Sequence, residues 1–550
     1  MAFAFLGVGA LAVVGRLIQL QALEHDRWAA AAQAIQEDVL ELPAKRGTIY
    51  DRAGRPLACD IPAYSIALDN LHMTKPEVLV ALLQEELGLS AAEAADRVYR
   101  ESYFTWIARQ VDMEQGERLQ ARADELGVRG LLFIDTWKRG YPRGRLAPGV
   151  LGAVGVDGQG LEGLELAYDD LLRGEPRRLH LLRGRDGRVY DLQVERPGAP
   201  GADLRLALDA QFQQICEDKL SQGVSVFRAD RGFAVVMDPR NGAVLALAQA
   251  PRYDPADPDT GLLHAWAVTD AFEPGSTFKA LIGLAAVDQG LVDPETTFSG
   301  DSPIVVGGVP IHNAEHKSYG LVTFTAAMAL SVNTVLVQVA QRLGVERTHT
   351  YLSRMGFGKP TGIELPGEAA GILRPPEAWD PLVLATTSFG QGVSTSGIQL
   401  AAAFCALANG GQLLQPHLVA GPPEPVARVA SAEACATLRH ILRSAVGQPG
   451  ATGKWADVPG FAMAGKSGTG EKAIPGQGYV AGHYIGAMAV FFPWEQPEYF
   501  ILVVYDEVKH VPYWGGYTAG HTVKYIVQEL AQRGLIAPYA AATTAPGRSG

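Results

Sequence analysis

The chain has 550 residues, 47% of them hydrophobic and 19% charged, which excludes a disordered protein and allows two or three packed domains. With 47 basic against 59 acidic side chains the formal charge is −12, so nucleic acid is not an expected partner, since phosphate binding wants a basic face. The four cysteines, Cys59, Cys216, Cys405 and Cys435, show no C-x-x-C or metal-ligand spacing. No metal or cofactor is expected, and buried thiols fit better than a Cys405–Cys435 bridge.

In chain order, the first element is an apolar run over 2–14, ended by Arg16 and continued by Leu17, Ile18, Leu20 and Leu23. A cleaved signal peptide is one reading, but a basic n-region and a small-residue cleavage site are missing. The other is a membrane anchor over residues 1–23, with Arg16 snorkelling to the far interface, and this is the expectation. Next, Ala53-Gly54 marks a hairpin turn inside 43–58. Residues 74–127 read as helices. Thr74 with Glu77 forms one capping box, stopped by Gly88, and Ser90 with Glu93 opens another. Asp112 to Leu126 is a third, stopped by Gly127. Residues 24–200 carry no paired histidines and no catalytic constellation, so this part is expected to be structural.

Pro197-Gly198-Ala199-Pro200-Gly201 is the best linker signal. After it Leu204, Leu206 and Leu208 alternate as a strand. Phe233–Met237 and Ala243–Leu247 flank Asn241-Gly242, a hairpin turn. Two more strands, Tyr484–Phe492 and Tyr499–Tyr505, come late. Strands at both ends with helices between predict one α+β domain over 201–538, closing on a single sheet. The remaining 539–550, rich in Ala, Thr, Pro, Gly and Ser, read as a disordered tail.

The chemistry centres on Glu273-Pro274-Gly275-Ser276-Thr277-Phe278-Lys279. Apolar Leu281, Leu284 and Ala285 follow at helical spacing, so Ser276 and Lys279 fall on one face of the first turn of a buried helix. The hydroxyl can meet the amine, as an activated nucleophile requires, and the helix N-terminus favours developing negative charge. Downstream, in order, come Ser331-Val332-Asn333 and Lys466-Ser467-Gly468-Thr469. Ser-x-x-Lys, Ser-x-Asn and Lys-[Ser/Thr]-Gly are the three elements of the penicillin-binding proteins and serine β-lactamases. Lys279 is the only base-capable residue that spacing places beside Ser276. It can act only when neutral part of the time, through burial or a nearby positive charge such as Lys466.

With Ser388-Phe389-Gly390-Gln391-Gly392-Val393, Ala408-Asn409-Gly410-Gly411 and the segments 43–58, 138–144, 160–165 and 168–174, the chain resembles the class B penicillin-binding proteins. The resemblance implies a membrane anchor, an elongated pedestal over 24–200 and a transpeptidase domain whose five-stranded sheet has helices on both faces. It implies a D,D-transpeptidase that cross-links peptidoglycan stem peptides and is trapped by β-lactams. Carboxypeptidase, β-lactamase and noncatalytic activator are the alternatives. Ser276 would be the nucleophile and Lys279 its base. Ser331 would relay the proton and Asn333 would hold the substrate amide. Lys466 would hold the terminal carboxylate with Ser467 or Thr469, and Gly468 would let the strand approach the ligand. The Ser276 and Thr469 N–H groups would form the oxyanion hole. Also implied are a single-pass location in the cytoplasmic membrane, an extracytoplasmic catalytic domain and a SEDS-family glycosyltransferase partner. Glu471 has no assigned role.

Overall fold

The computed structural model describes residues 7, 14–17, 19, 37–102, 104–183, 189–256, 264–474 and 478–539. The expected anchor over 1–23 therefore lies mostly outside the described residues. Among the described residues no helix is long and apolar enough to cross a membrane. The expected tail lies outside them too, except Tyr539, whose N–H donates to Gly460 O at 2.7 Å.

The N-terminal unit is built on the long strand Pro56–Asp69, which pairs antiparallel with Phe104–Asp112 and with Leu131–Gly140. The expected hairpin at Ala53-Gly54 is present, joining Ile49–Tyr50 to this strand. Helices Pro76–Leu87, Ala91–Val98 and Met113–Leu126 cover it, burying Leu79, Leu82, Leu83, Val98 and Leu119 against Ile66 and Leu68. Two expectations need correction. The span 74–127 is not wholly helical, because Phe104–Asp112 runs as a strand with Thr105, Ile107 and Val111 turned inward. The Thr74/Glu77 capping box is not formed. Pro76 at the first helical position disfavours αR in the residue before it. Lys75 is therefore outside the helix as its N-cap, at φ 54°, and the Thr74 hydroxyl instead accepts from Arg129 N–H at 2.9 Å. The Ser90/Glu93 capping box forms as expected.

The segment 197–201 is tied rather than free. Glu175 and Ala199 exchange backbone hydrogen bonds of 2.9 and 3.1 Å, and Gly201 N–H donates to Lys45 O at 2.9 Å. Beyond it Leu204, Leu206 and Leu208 are all buried, but only Leu204–Arg205 forms a ladder, parallel to Ile49–Tyr50. The two units are further joined by Arg55 to Asp209 at 2.9 Å and by Ala147 N–H to the Glu217 carboxylate at 2.8 Å.

The C-terminal unit holds the predicted antiparallel sheet of five strands. Their spatial order is Val244–Ala250, Arg231–Met237, Tyr499–Asp506, Gly478–Phe492 and Ala464–Ile474. Gly242 takes φ 82° in the turn between the first two strands. One face packs on Lys279–Asp288, Gly397–Ala408 and their neighbours; the other is covered by Ala210–Phe227 and Thr518–Gln532. The four cysteines are all free thiols, so the Cys405–Cys435 bridge is not formed.

Candidate active site

The residues 275–278 make one turn of 3-10 helix that runs straight into the helix Lys279–Asp288. This turn lies against the edge strand Ala464–Ile474. A Cβ on Gly468 would stand 2.8 Å from Thr277 Cγ2 and 3.0 Å from Pro274 O. The close neighbour of Gly468 is thus the nucleophile turn, whereas the sequence suggested close approach of a ligand. From the other side Gly390 presses on the same turn, with its O accepting from Gly275 N–H at 3.2 Å. Gly390 has φ 81° and its added Cβ would lie 2.2 Å from Gly275 O, so only glycine fits. Gly392 N–H donates to the Glu273 carboxylate at 2.9 Å. The Ser388–Val393 segment, which carried no role in the sequence, therefore holds the turn that presents Ser276.

Ser331 ends the helix Phe324–Leu330 in a left-handed conformation, φ 58°, and the helix Asn333–Leu343 starts two residues later. This break aims both polar side chains at Lys279. The Lys279 Nζ donates to Ser331 O at 2.7 Å, to Ser331 Oγ at 3.0 Å and to Asn333 Oδ1 at 2.6 Å. Lys466 Nζ reaches the same Ser331 Oγ at 3.0 Å and donates to Ser467 O at 3.1 Å. Both lysines are fully buried. The direct Ser276–Lys279 hydrogen bond expected from spacing is not among those the amine makes. Asn333 is also more committed than expected, since its Nδ2 donates to His312 O at 2.8 Å. One Nδ2 hydrogen remains for a substrate carbonyl.

Burial pushes the Lys279 amine well below its ordinary range, and the neighbouring Lys466 charge pushes it the same way. Burial alone brings Lys466 down to about 7. An ammonium at 279 has one hydrogen for each of its three acceptors. The neutral amine has two, so one contact must reverse, and Ser331 Oγ is the only one of the three able to donate. A single hydroxyl then sits between two amines and can carry a proton from one to the other.

Ser276, Ser331, Asn333, Ser467 and Thr469 line one cleft of about 730 Å³. Ser276 is partly exposed in it. Ser467 Oγ donates to Thr452 Oγ1 at 2.8 Å, and Thr469 Oγ1 accepts from Gly515 N–H at 2.9 Å. The Gly515-Gly516 turn closes on the strand so tightly that a Cβ on Gly515 would fall 1.9 Å from Gly468 O. Five of the eight expected site residues therefore line the cleft, while Lys279 and Lys466 meet it through Ser331 Oγ and Gly468 packs on the nucleophile turn. Trp455, Trp514 and Tyr517 also line the cleft, and no spacing rule points to them. Among the described residues no cluster of three or more metal-ligating side chains occurs.

The chain matches known proteins over most of its length. The penicillin binding protein transpeptidase domain matches residues 232–529, and the penicillin-binding protein dimerisation domain matches 41–206. The chain is 33% identical to the probable peptidoglycan D,D-transpeptidase PenA of Neisseria meningitidis, over 88% of this chain and 84% of that one. It is 31% identical to the stage V sporulation protein D of Bacillus subtilis, over 89% and 78%. Penicillin binding protein 3 of Mycobacterium tuberculosis, solved with aztreonam, superposes with a TM-score of 0.71 at 27% identity, over 92% and 98%. On the two domain matches, these relatives and the buried lysine pair around Ser331, the chain belongs to the class B penicillin-binding proteins.

Proposed function

We propose that the protein is a peptidoglycan D,D-transpeptidase that works through an acyl-enzyme on Ser276. The observation that carries this is the meeting of two buried lysine amines on Ser331 Oγ, in the cleft that holds the Ser276 hydroxyl. Ser276 Oγ attacks the carbonyl carbon of the penultimate D-alanine, and its proton passes to neutral Lys279. Ser331 hands its proton to the departing nitrogen of the terminal D-alanine and takes in its place the proton now on Lys279, which returns to the neutral amine. An amine from a second stem peptide then displaces the enzyme, and its proton returns to Ser276 by the same route. Charged Lys466, with Ser467 and Thr469, takes the terminal carboxylate. The N–H groups of residues 276 and 469 face the oxyanion. A β-lactam acylates the same serine but leaves no free amine to depart.

The membrane anchor over 1–23, the extracytoplasmic placement of residues 24–538, the division near 200 and a SEDS-family glycan polymerase as partner belong to the same reading. They are supported by the family relationship. The reaction is tested with uncross-linked glycan bearing pentapeptide stems. The expected products are cross-linked dimers plus free D-alanine. Free D-alanine without dimers would make the protein a carboxypeptidase, and a penicilloyl-enzyme lost in milliseconds would make it a β-lactamase.

Acylation by a carboxylate-bearing β-lactam is expected to give a bell-shaped pH dependence of the second-order rate constant. The rising limb is deprotonation of Lys279, which is far easier than for an ordinary lysine. The falling limb is loss of the Lys466 charge near 7 in the free protein. A β-lactam ester, with no carboxylate to anchor, keeps the rising limb and loses the falling one. Identical profiles for acid and ester would remove Lys466 from carboxylate binding.

A further inference from the structure

A stripe of aromatic rings leaves the cleft on the side away from the nucleophile helix. Tyr517, His521 and Tyr525 fall at i, i+4 spacing at the start of the helix Thr518–Gln532, so they share one face. Tyr517 meets His521 edge-on at 4.7 Å, and His521 stacks on Tyr525 at 6.1 Å. Trp455, from the short turn Lys454–Ala456, lies nearly flat on His521 at 5.0 Å and edge-on to Tyr517 at 5.4 Å. Tyr517 is partly buried and packs on the hydrophobic core through Phe227. Trp455 and Tyr525 serve no such purpose: they are 39% and 51% exposed and stand outside that core. Lys454 Nζ hangs 5.0 Å from the Trp455 ring centre. Trp455 and Tyr517 also line the cleft that holds Ser276. The stripe therefore starts inside the active site and runs outward for about 12 Å along the helix.

We propose that this stripe binds the sugar rings of a β-1,4-linked N-acetylhexosamine strand, the part of the substrate to which the stem peptide is attached. The proposal rests on the reading that the cleft takes stem peptides. A pyranose ring turns a row of C–H bonds to one side, and these weakly positive hydrogens match the negative face of an aromatic ring. The Lys454 ammonium, the His521 imidazole and the Tyr525 hydroxyl, at the same edge, suit the sugar hydroxyls and the acetamido oxygen. A peptide seated at Ser276 is covalently joined to its sugar, so the glycan lies within one stem-peptide length of the cleft that Trp455 and Tyr517 line. Continuity with the cleft thus selects glycan over any unrelated partner for the exposed rings.

The test titrates the full chain with chitotetraose, the β-1,4-linked tetramer of N-acetylglucosamine, followed by intrinsic tryptophan fluorescence and confirmed by calorimetry. Saturable binding is expected, and Tyr525→Ala is expected to weaken it by about tenfold, the effect of losing one stacked ring. Tyr525→Phe keeps the ring and is expected to keep most of the affinity. The proposal is overturned if the unaltered protein does not bind chitotetraose, or if Tyr525→Ala binds it as well as the unaltered protein does. Penicillin acylation measured on the same samples separates the two readings. Acylation without sugar binding sinks only the stripe, whereas sugar binding without acylation sinks the transpeptidase reading.

Discussion

Replacing Lys279 by alanine is expected to slow acylation by a penicillin by about a hundred- to ten-thousand-fold, the range for loss of a placed general base. Among the described residues the amines hydrogen-bonded to Ser331 Oγ are Lys279 and Lys466, and Lys466 is also engaged with its own neighbour's carbonyl. The lysine is fully buried and its three contacts are all to 331 and 333. Its removal therefore also leaves those acceptors without their donor, which lowers stability. Lys279→Arg separates the two effects. It keeps a donor in the pocket, but the guanidinium stays protonated and cannot serve as a base. Rates are read by stopped-flow with a chromogenic cephalosporin, next to a thermal melt of each variant. Near-normal acylation in a folded Lys279→Ala protein would take the base role away from this residue.

Arg46→Met is expected to destabilise the N-terminal unit by about 3–5 kcal/mol, the usual penalty for breaking a buried ion cluster from one side. Arg46 is at the hub of such a cluster. It binds both the Glu165 carboxylate and, at 2.6 Å, the Glu165 carbonyl; it reaches Asp169 at 2.6 Å; and its own N–H donates to Asp60 at 2.7 Å. Arg139 binds Glu165 at 2.7 Å and Asp60 at 3.0 Å. Two guanidiniums thus face three carboxylates, and the variant leaves three facing one. Burial already pushes the Asp60 carboxyl up. In the variant this shift is expected to grow. A carboxyl whose folded pKa exceeds its unfolded value costs stability above the folded pKa and recovers it as pH falls. The deficit of Arg46→Met should therefore shrink on acidification, which a simple packing defect would not do. Urea unfolding at neutral and mildly acidic pH measures both. A loss below about 1 kcal/mol, or one independent of pH, would mean the cluster is not energetically coupled.

That cluster shows what a linear reading can and cannot reach. Segments 43–58, 138–144, 160–165 and 168–174 each stood out in the sequence, but nothing local says that Arg46, Arg139, Glu165 and Asp169 touch. Their partners lie up to 123 positions apart. Ser276 and Lys279 were legible as a pair because helix periodicity fixes which side chains share a face, whereas Ser331-Val332-Asn333 and Lys466-Ser467-Gly468 were legible through their order and their resemblance to a known family. What local periodicity could not supply was the third dimension. The Gly390 clamp on Gly275 and the commitment of Asn333 to Lys279 and His312 depend on chain segments meeting. Thr74 failed as a cap for a local reason that was visible, since Pro76 restricts the residue before it. The 104–112 strand was hidden by the helices on either side of it.

The most direct measurement is the site of covalent attachment. After brief exposure of the protein to benzylpenicillin, proteolysis and mass spectrometry are expected to place a single penicilloyl group on the peptide containing Ser276. Ser276→Ala, with an unchanged melt, is expected to carry none. Labelling that persists in Ser276→Ala, or that falls on any other serine, would contradict the assignment of the nucleophile and of the cleft built around it.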